Sequence, residues 1–100
     1  MNQILTETQR KHLRGLAHAL KPVVQTGNAG LSDAVLKELE KALEHHELIK
    51  VRLVAADRDD RNQMLDRLLE ETGATLVQRV GHVATLFRRN AEKPRVQLPV

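Results

Sequence analysis

Two glycines three residues apart, Gly27 and Gly30, stand between a β-branched run and an amphipathic segment. Glycines at both ends of Gly27-Asn28-Ala29-Gly30 let the chain turn sharply and bring its backbone close to another backbone. The helix expected to follow opens with unbonded N–H groups and the positive end of its dipole, a corner suited to a phosphate. GxxG loops that clamp a nucleic-acid backbone work this way. The same pair also makes an ordinary tight turn, and so short a motif recurs by chance. No Lys-Ser/Thr follows, so it is not a P-loop, and the third glycine of a dinucleotide fingerprint is missing.

Other groups offer less chemistry. His45 and His46 are adjacent, so on a helix they point roughly 100° apart and do not share a metal easily. His12 and His18 are six apart, also a poor pairing. Histidines of this kind more often sit at a helix end, where a cation suits the dipole. Glu38, Glu40, Glu44 and Glu47 read as the solvated face of one helix. No Ser–His–Asp arrangement follows from spacing, and the absence of cysteine removes thiolate metal sites and disulfides. These residues predict no catalytic centre, no metal and no cofactor. A hydrolase using His45 or His46 has nothing in its favour beyond the residues being present.

The cations are more informative. Net charge is +3, but it is unevenly placed. Residues 1–30 carry Arg10, Lys11, Arg14 and Lys21 against Glu7. Residues 81–100 carry Arg88, Arg89, Lys93 and Arg95 against Glu92, and the middle is net acidic. Basic ends suit a polyanion-binding surface if they meet in the fold; otherwise they simply face water. Phe87 is the one Phe, Tyr or Trp in the chain. Base stacking on an aromatic sheet or barrel is therefore excluded, and any RNA contact must rest on backbone electrostatics, shape and the glycine loop.

The elements that must position these residues follow from pattern. Thr6 and Gln9 form a capping box for a helix from about Glu7 to His18, stopped by Lys21-Pro22. Val23 to Thr26 reads as a buried strand. Ser32 caps a second helix, with Asp33 in its first turn, Leu31 and Leu36 as a staple, and Val35, Leu36, Leu39 and Leu43 inward. From Leu48 to Ala55 hydrophobicity alternates, predicting a strand with Lys50 and Arg52 on its polar face. Asp57, Asp59 or Asp60 caps a third helix that Gly73 ends. Thr75 to Val80 and Val83 to Phe87 flank Gly81-His82, a type II′ hairpin signal. The expected fold is a two-layer α/β sandwich of order α-β-α-β-α-β-β with a mixed four-stranded sheet. One domain spans 1–90, and 91–100 is a basic, partly flexible tail. No apolar run spans a membrane and no signal peptide is visible, so the expected location is cytoplasmic. A monomer is expected.

Several collinear segments resemble the CRM domain (chloroplast RNA splicing and ribosome maturation), most closely its stand-alone bacterial YhbY-type members. They are Leu13-Arg14-Gly15-Leu16-Ala17-His18, Leu20-Lys21-Pro22-Val23-Val24, Gly27-Asn28-Ala29-Gly30-Leu31, Ala42 to Val51, and Gly81-His82 before Leu86-Phe87-Arg88. The resemblance covers about residues 4 to 90. It implies a fold similar to the C-terminal domain of translation initiation factor 3. It also implies binding to structured ribosomal RNA, in association with precursors of the large ribosomal subunit. The family's RNA-contacting loop transfers to Gly27, Asn28, Ala29 and Gly30. Many relatives place a lysine inside the loop where this chain has Asn28-Ala29; Lys21 and Lys37 stand near enough in sequence to compensate. Arg10, Lys11, Arg14, Lys21, Arg88 and Arg89 are expected to extend the basic surface, with Lys50 and Arg52 joining if their strand face is open. The rival expectation is a protein adaptor whose acidic second helix meets a basic ribosomal protein.

Overall fold

The computed structural model describes residues 5–27 and 30–99. The element order is α1 (Glu7–Ala17), β1 (Pro22–Gln25), α2 (Asp33–His46), β2 (Leu48–Arg52), α3 (Arg58–Thr72), β3 (Thr75–Val80) and β4 (Val83–Phe87). It is the order that the pattern predicts. Local chemistry sets the boundaries. Thr6 and Gln9 close the capping box of α1. The Ser32 hydroxyl accepts the Val35 N–H at the start of α2, and the Asp57 carboxylate accepts the Asp60 N–H at the start of α3. Gly73 ends α3 in the left-handed region at φ 70°. Gly81 has φ 58°, and His82 is not in the positive region, as a II′ hairpin requires.

The sheet order is β1-β2-β4-β3. β1 runs parallel to β2, while β4 is antiparallel to both β2 and β3. β1, β2 and β3 therefore point the same way, and their carboxyl ends share one edge of the sheet. Alternation along β2 divides the core. Ile49 and Val51 face Leu39, Leu43, Leu65 and Leu68 of α2 and α3. Leu48 faces the other way, with Val77 and Phe87, against Leu13 and Ala17 of α1. The sheet and the α2/α3 pair make the main sandwich, and α1 covers part of the opposite face. A bulge in β3 between Leu76 and Gln78 inserts Val77 into the α1 cluster.

The tail folds back on that cluster. Val96 and Leu98 pack against it, and the Gln9 amide donates to the Pro99 carbonyl at 3.0 Å. Glu47 holds the tail in place. Rather than lying on a solvated helix face, its side chain is fully buried. Its carboxylate accepts N–H groups from Asn90 at 2.6 Å, Arg95 at 2.5 Å and Val96 at 2.7 Å. Glu47 is also the one non-glycine described residue with positive φ, 61°.

Candidate nucleic-acid interface

The glycine loop lies where β1 hands the chain to α2. Gly27 and Gly30 form an antiparallel bridge, with the Gly30 N–H donating to the Gly27 carbonyl at 2.9 Å. Gly30 has φ 71°, a conformation that glycine adopts without penalty. Asn28 and Ala29, the residues between them, lie outside the described residues. Ser32 satisfies the Val35 amide, while the Asp33 and Ala34 amides have no helical carbonyl to bond. Beside the loop a groove of about 640 Å³ runs under the start of α3, lined by Leu31, Val54, Gln63, Met64 and Arg67, with Asp60 as its carboxylate.

A second, basic groove of about 430 Å³ lies between α1 and the open part of the sheet. Lys11, Arg14, His18 and Lys50 line it, with Gln78 and Thr85 at its floor. Arg52 follows two residues on from Lys50 on the same face and is exposed. Its register partner is Gln25 of β1, two residues before Gly27. Cations therefore run from α1 across β2 to the foot of the glycine loop. The Arg14 pairing with Glu7 at 3.4 Å is solvent-exposed and holds it weakly.

Other cations named from the sequence lie elsewhere. The Arg10 guanidinium donates to the Leu76 and Val77 carbonyls, at 2.5 and 3.1 Å, at the β3 bulge. Arg88 pairs with Glu40 at 2.8 Å and Glu44 at 3.4 Å, and donates to the Thr72 carbonyl at 2.8 Å, on the α2/α3 side. Arg89 lies over the Phe87 ring at 5.7 Å, donates to the Val96 carbonyl at 2.9 Å and faces Glu47 at 3.5 Å. These three arginines are half-buried, and each is engaged by groups within the fold. Lys21 precedes β1 and borders a groove with Leu16, Leu20 and Arg95, at the opposite end of that strand from the loop. Lys37 lies on α2 beside Glu40, Lys41 and Glu71.

The two chain ends do meet, but through apolar side chains and the Gln9–Pro99 bond, not as a cationic patch. The acidic face of α2 is likewise partly used within the molecule, since Glu40 and Glu44 hold Arg88 and Glu47 is buried. Sequence reasoning missed Arg58, Arg61 and Arg79, which border one groove at the hairpin end of the sheet. They lie in a stretch whose net charge is negative, and only the fold brings Arg79 to the first turn of α3. Phe87, the one Phe, Tyr or Trp ring in the chain, is fully buried.

Among the described residues, no group of three or more histidines, acids or cysteines is placed to hold a metal, and no helix is long and apolar enough to cross a membrane. Comparison with known proteins gives a consistent result. The CRS1 / YhbY (CRM) domain matches residues 5–88. An RNA-binding protein of Haemophilus influenzae is 45% identical over 95 residues, 95% of each chain. A probable RNA-binding protein of Pseudomonas aeruginosa is 46% identical, covering 94% of this chain and 89% of its own. The solution structure of a hypothetical protein from Staphylococcus aureus superposes with a TM-score of 0.79 at 34% identity, over 96% of this chain and all of that one. This chain belongs to the CRS1 / YhbY (CRM) domain family.

Proposed function

We propose that the protein binds structured ribosomal RNA, holding phosphates at the glycine loop and along the basic face beside it, and acts in the cytoplasm on precursors of the large ribosomal subunit. The observation that carries this reading is the continuity of Lys11, Arg14, Lys50 and Arg52 with the Gly27–Gly30 loop through the Arg52–Gln25 register pair. The relatives are named as RNA-binding proteins, and the burial of Phe87, the one Phe, Tyr or Trp, favours phosphate contact over stacking as the main source of affinity. The ribosomal assignment rests on the CRM resemblance.

The test is titration of the purified protein with large-subunit ribosomal RNA across a range of salt. Phosphate contact predicts a linear fall of log affinity with log salt, with slope roughly −0.7 to −0.9 per phosphate. Lys50→Glu with Arg52→Glu should weaken binding at least about tenfold and flatten the slope by one to two contacts. Binding that ignores both salt and this pair would rule out the basic face. Co-purification with ribosomal precursors that survives complete RNA digestion would instead identify a protein adaptor.

A further inference from the structure

At the hairpin end of the sheet, three arginines from separate parts of the chain border one groove. Arg58 and Arg61 come from the first turn of α3, and Arg79 comes from the last turn-ward residues of β3. Asn62 and Gly81 complete the lining of this groove, whose volume is about 420 Å³, and no carboxylate among the described residues borders it. Among the described residues none of the three arginines is in an ion pair. Arg79 is aimed by a hydrogen bond from its guanidinium to the Asn62 side-chain carbonyl. Arg61 adds an independent observation. The residue is half-buried, and its Nε is shielded from solvent with no hydrogen-bond acceptor, alone among the described buried side-chain polar atoms. An N–H shielded from water without an acceptor is costly, so this group favours an acceptor brought by a partner.

The nearby acids do not supply it. The Asp57 carboxylate is engaged as the α3 cap, Asp60 borders the glycine-loop groove instead, and Asp59 is exposed. Three guanidiniums bordering a groove that no described carboxylate lines match the planar, forked recognition of a phosphate.

We propose that Arg58, Arg61 and Arg79 form a second phosphate site, which takes a backbone phosphate of the same bound RNA. This rests on the RNA-binding reading above and extends it. β1, β2 and β3 end along one edge of the sheet, so the arginine groove, Arg52 and the glycine loop lie along that edge. The Leu53 N–H donates to the His82 carbonyl at 2.7 Å, fixing the hairpin beside the end of β2. An RNA following this edge meets the arginines on one side of α3's first turn and the loop groove on the other.

The experiment compares three variants of the full chain, Arg58→Gln, Arg61→Gln with Arg79→Gln, and Arg61→Lys, in salt-titrated binding to large-subunit ribosomal RNA. Circular dichroism checks folding. The double variant should bind three- to tenfold more weakly, with a salt slope shallower by roughly one contact. Arg61→Lys should recover only part of the loss, because an ammonium lacks the fork. Should the double variant fail to fold, the exposed Arg58→Gln still decides the matter by its slope. Unchanged affinity in these variants, while Lys50→Glu with Arg52→Glu still weakens binding, overturns the arginine site and leaves the main reading standing. No effect from either set overturns both. Inorganic phosphate or a mononucleotide that shifts the Arg61 Nε–H resonance, when a short RNA does not, would assign the site to a small phosphate and overturn the RNA-backbone proposal.

Discussion

The Glu47 carboxylate accepts the Val96 N–H at 2.7 Å across a separation of 49 residues. This bond and its two companions tie the residue between α2 and β2 to the segment after the last strand. They also hold Glu47 itself in a backbone region that non-glycine residues rarely occupy. Replacing the carboxylate should therefore be expensive. Glu47→Ala is expected to lose about 3 kcal/mol, because three N–H donors lose a buried charged acceptor. Urea denaturation measures the loss. Amide exchange at Arg95 and Val96 should rise more than exchange in β2.

The same cluster predicts an acid response. Burial pushes the Glu47 carboxyl upward, but the Asn90, Val96 and Arg95 amides and the Arg89 guanidinium pull it down and prevail, leaving it below 4.5. A carboxyl lowered by folding stabilises the protein fully above its unfolded value. That stability disappears as pH falls through the lowered folded value. Denaturation midpoints should be flat with respect to this group near neutrality and decline in the acid range below 4.5. Glu47→Gln should remove that component of the decline, and an unchanged pH profile in this variant would refute the assignment.

Arg88 and Lys50 separate structural from surface cations. Arg88→Ala removes a guanidinium that joins Glu40, Glu44 and the Thr72 carbonyl. It should cost about 2 kcal/mol, the scale of charge-assisted hydrogen bonds. The folded fraction should bind RNA with unchanged affinity. Lys50→Ala should do the reverse, lowering affinity with little change in melting temperature. A loss of RNA affinity in folded Arg88→Ala would move Arg88 back into the binding surface.

The two glycines should also differ. A Cβ on Gly30 would meet the Met64 methyl at an ordinary 3.8 Å, so Gly30→Ala is penalised through its φ of 71°, by about 1 kcal/mol. Gly27 has open space around its missing Cβ and no positive φ, so Gly27→Ala should be close to neutral. Thermal melts would place Gly30→Ala roughly 4–8 °C lower for a domain of this size. Gly30→Asp should additionally weaken RNA binding by placing negative charge at the loop.

What the sequence reveals here is mostly local. The Ser32 cap, the Gly73 stop and the β3–β4 turn depend on neighbours a few residues away, and each forms where its residue types predict, while of the three aspartates offered as the α3 cap the structure uses Asp57. The placement of β4 between β2 and β3 depends on which strand edges meet after the chain has doubled back, and no short-range pattern carries that. Glu47 shows the same limit. In an acidic run it reads as solvated, and only the returning tail, far along the chain, buries it. Arg88, Arg89 and Arg10 have the composition of a nucleic-acid surface, yet their partners come from α2, the tail and the β3 bulge. Lys50 and Arg52 were legible because strand alternation alone put them on a polar face. Whether α1 left that face open was a tertiary fact.

The inner position of β4 has a consequence for how this chain acquires its structure during synthesis. β1 and β2 emerge first and can pair, and β3 follows, but β3 touches the rest of the sheet through a strand that is made after it. Until residues 83–87 are free, the partner that joins the two halves is missing, and β2 and β3 each present an open edge. Vectorial folding is thus held back to the end of the domain, and closure of the sheet becomes a single late event dominated by contacts distant in sequence. Nascent chains halted before β4 should be open to protease attack along α3 and β3, and release of β4 should protect both at once.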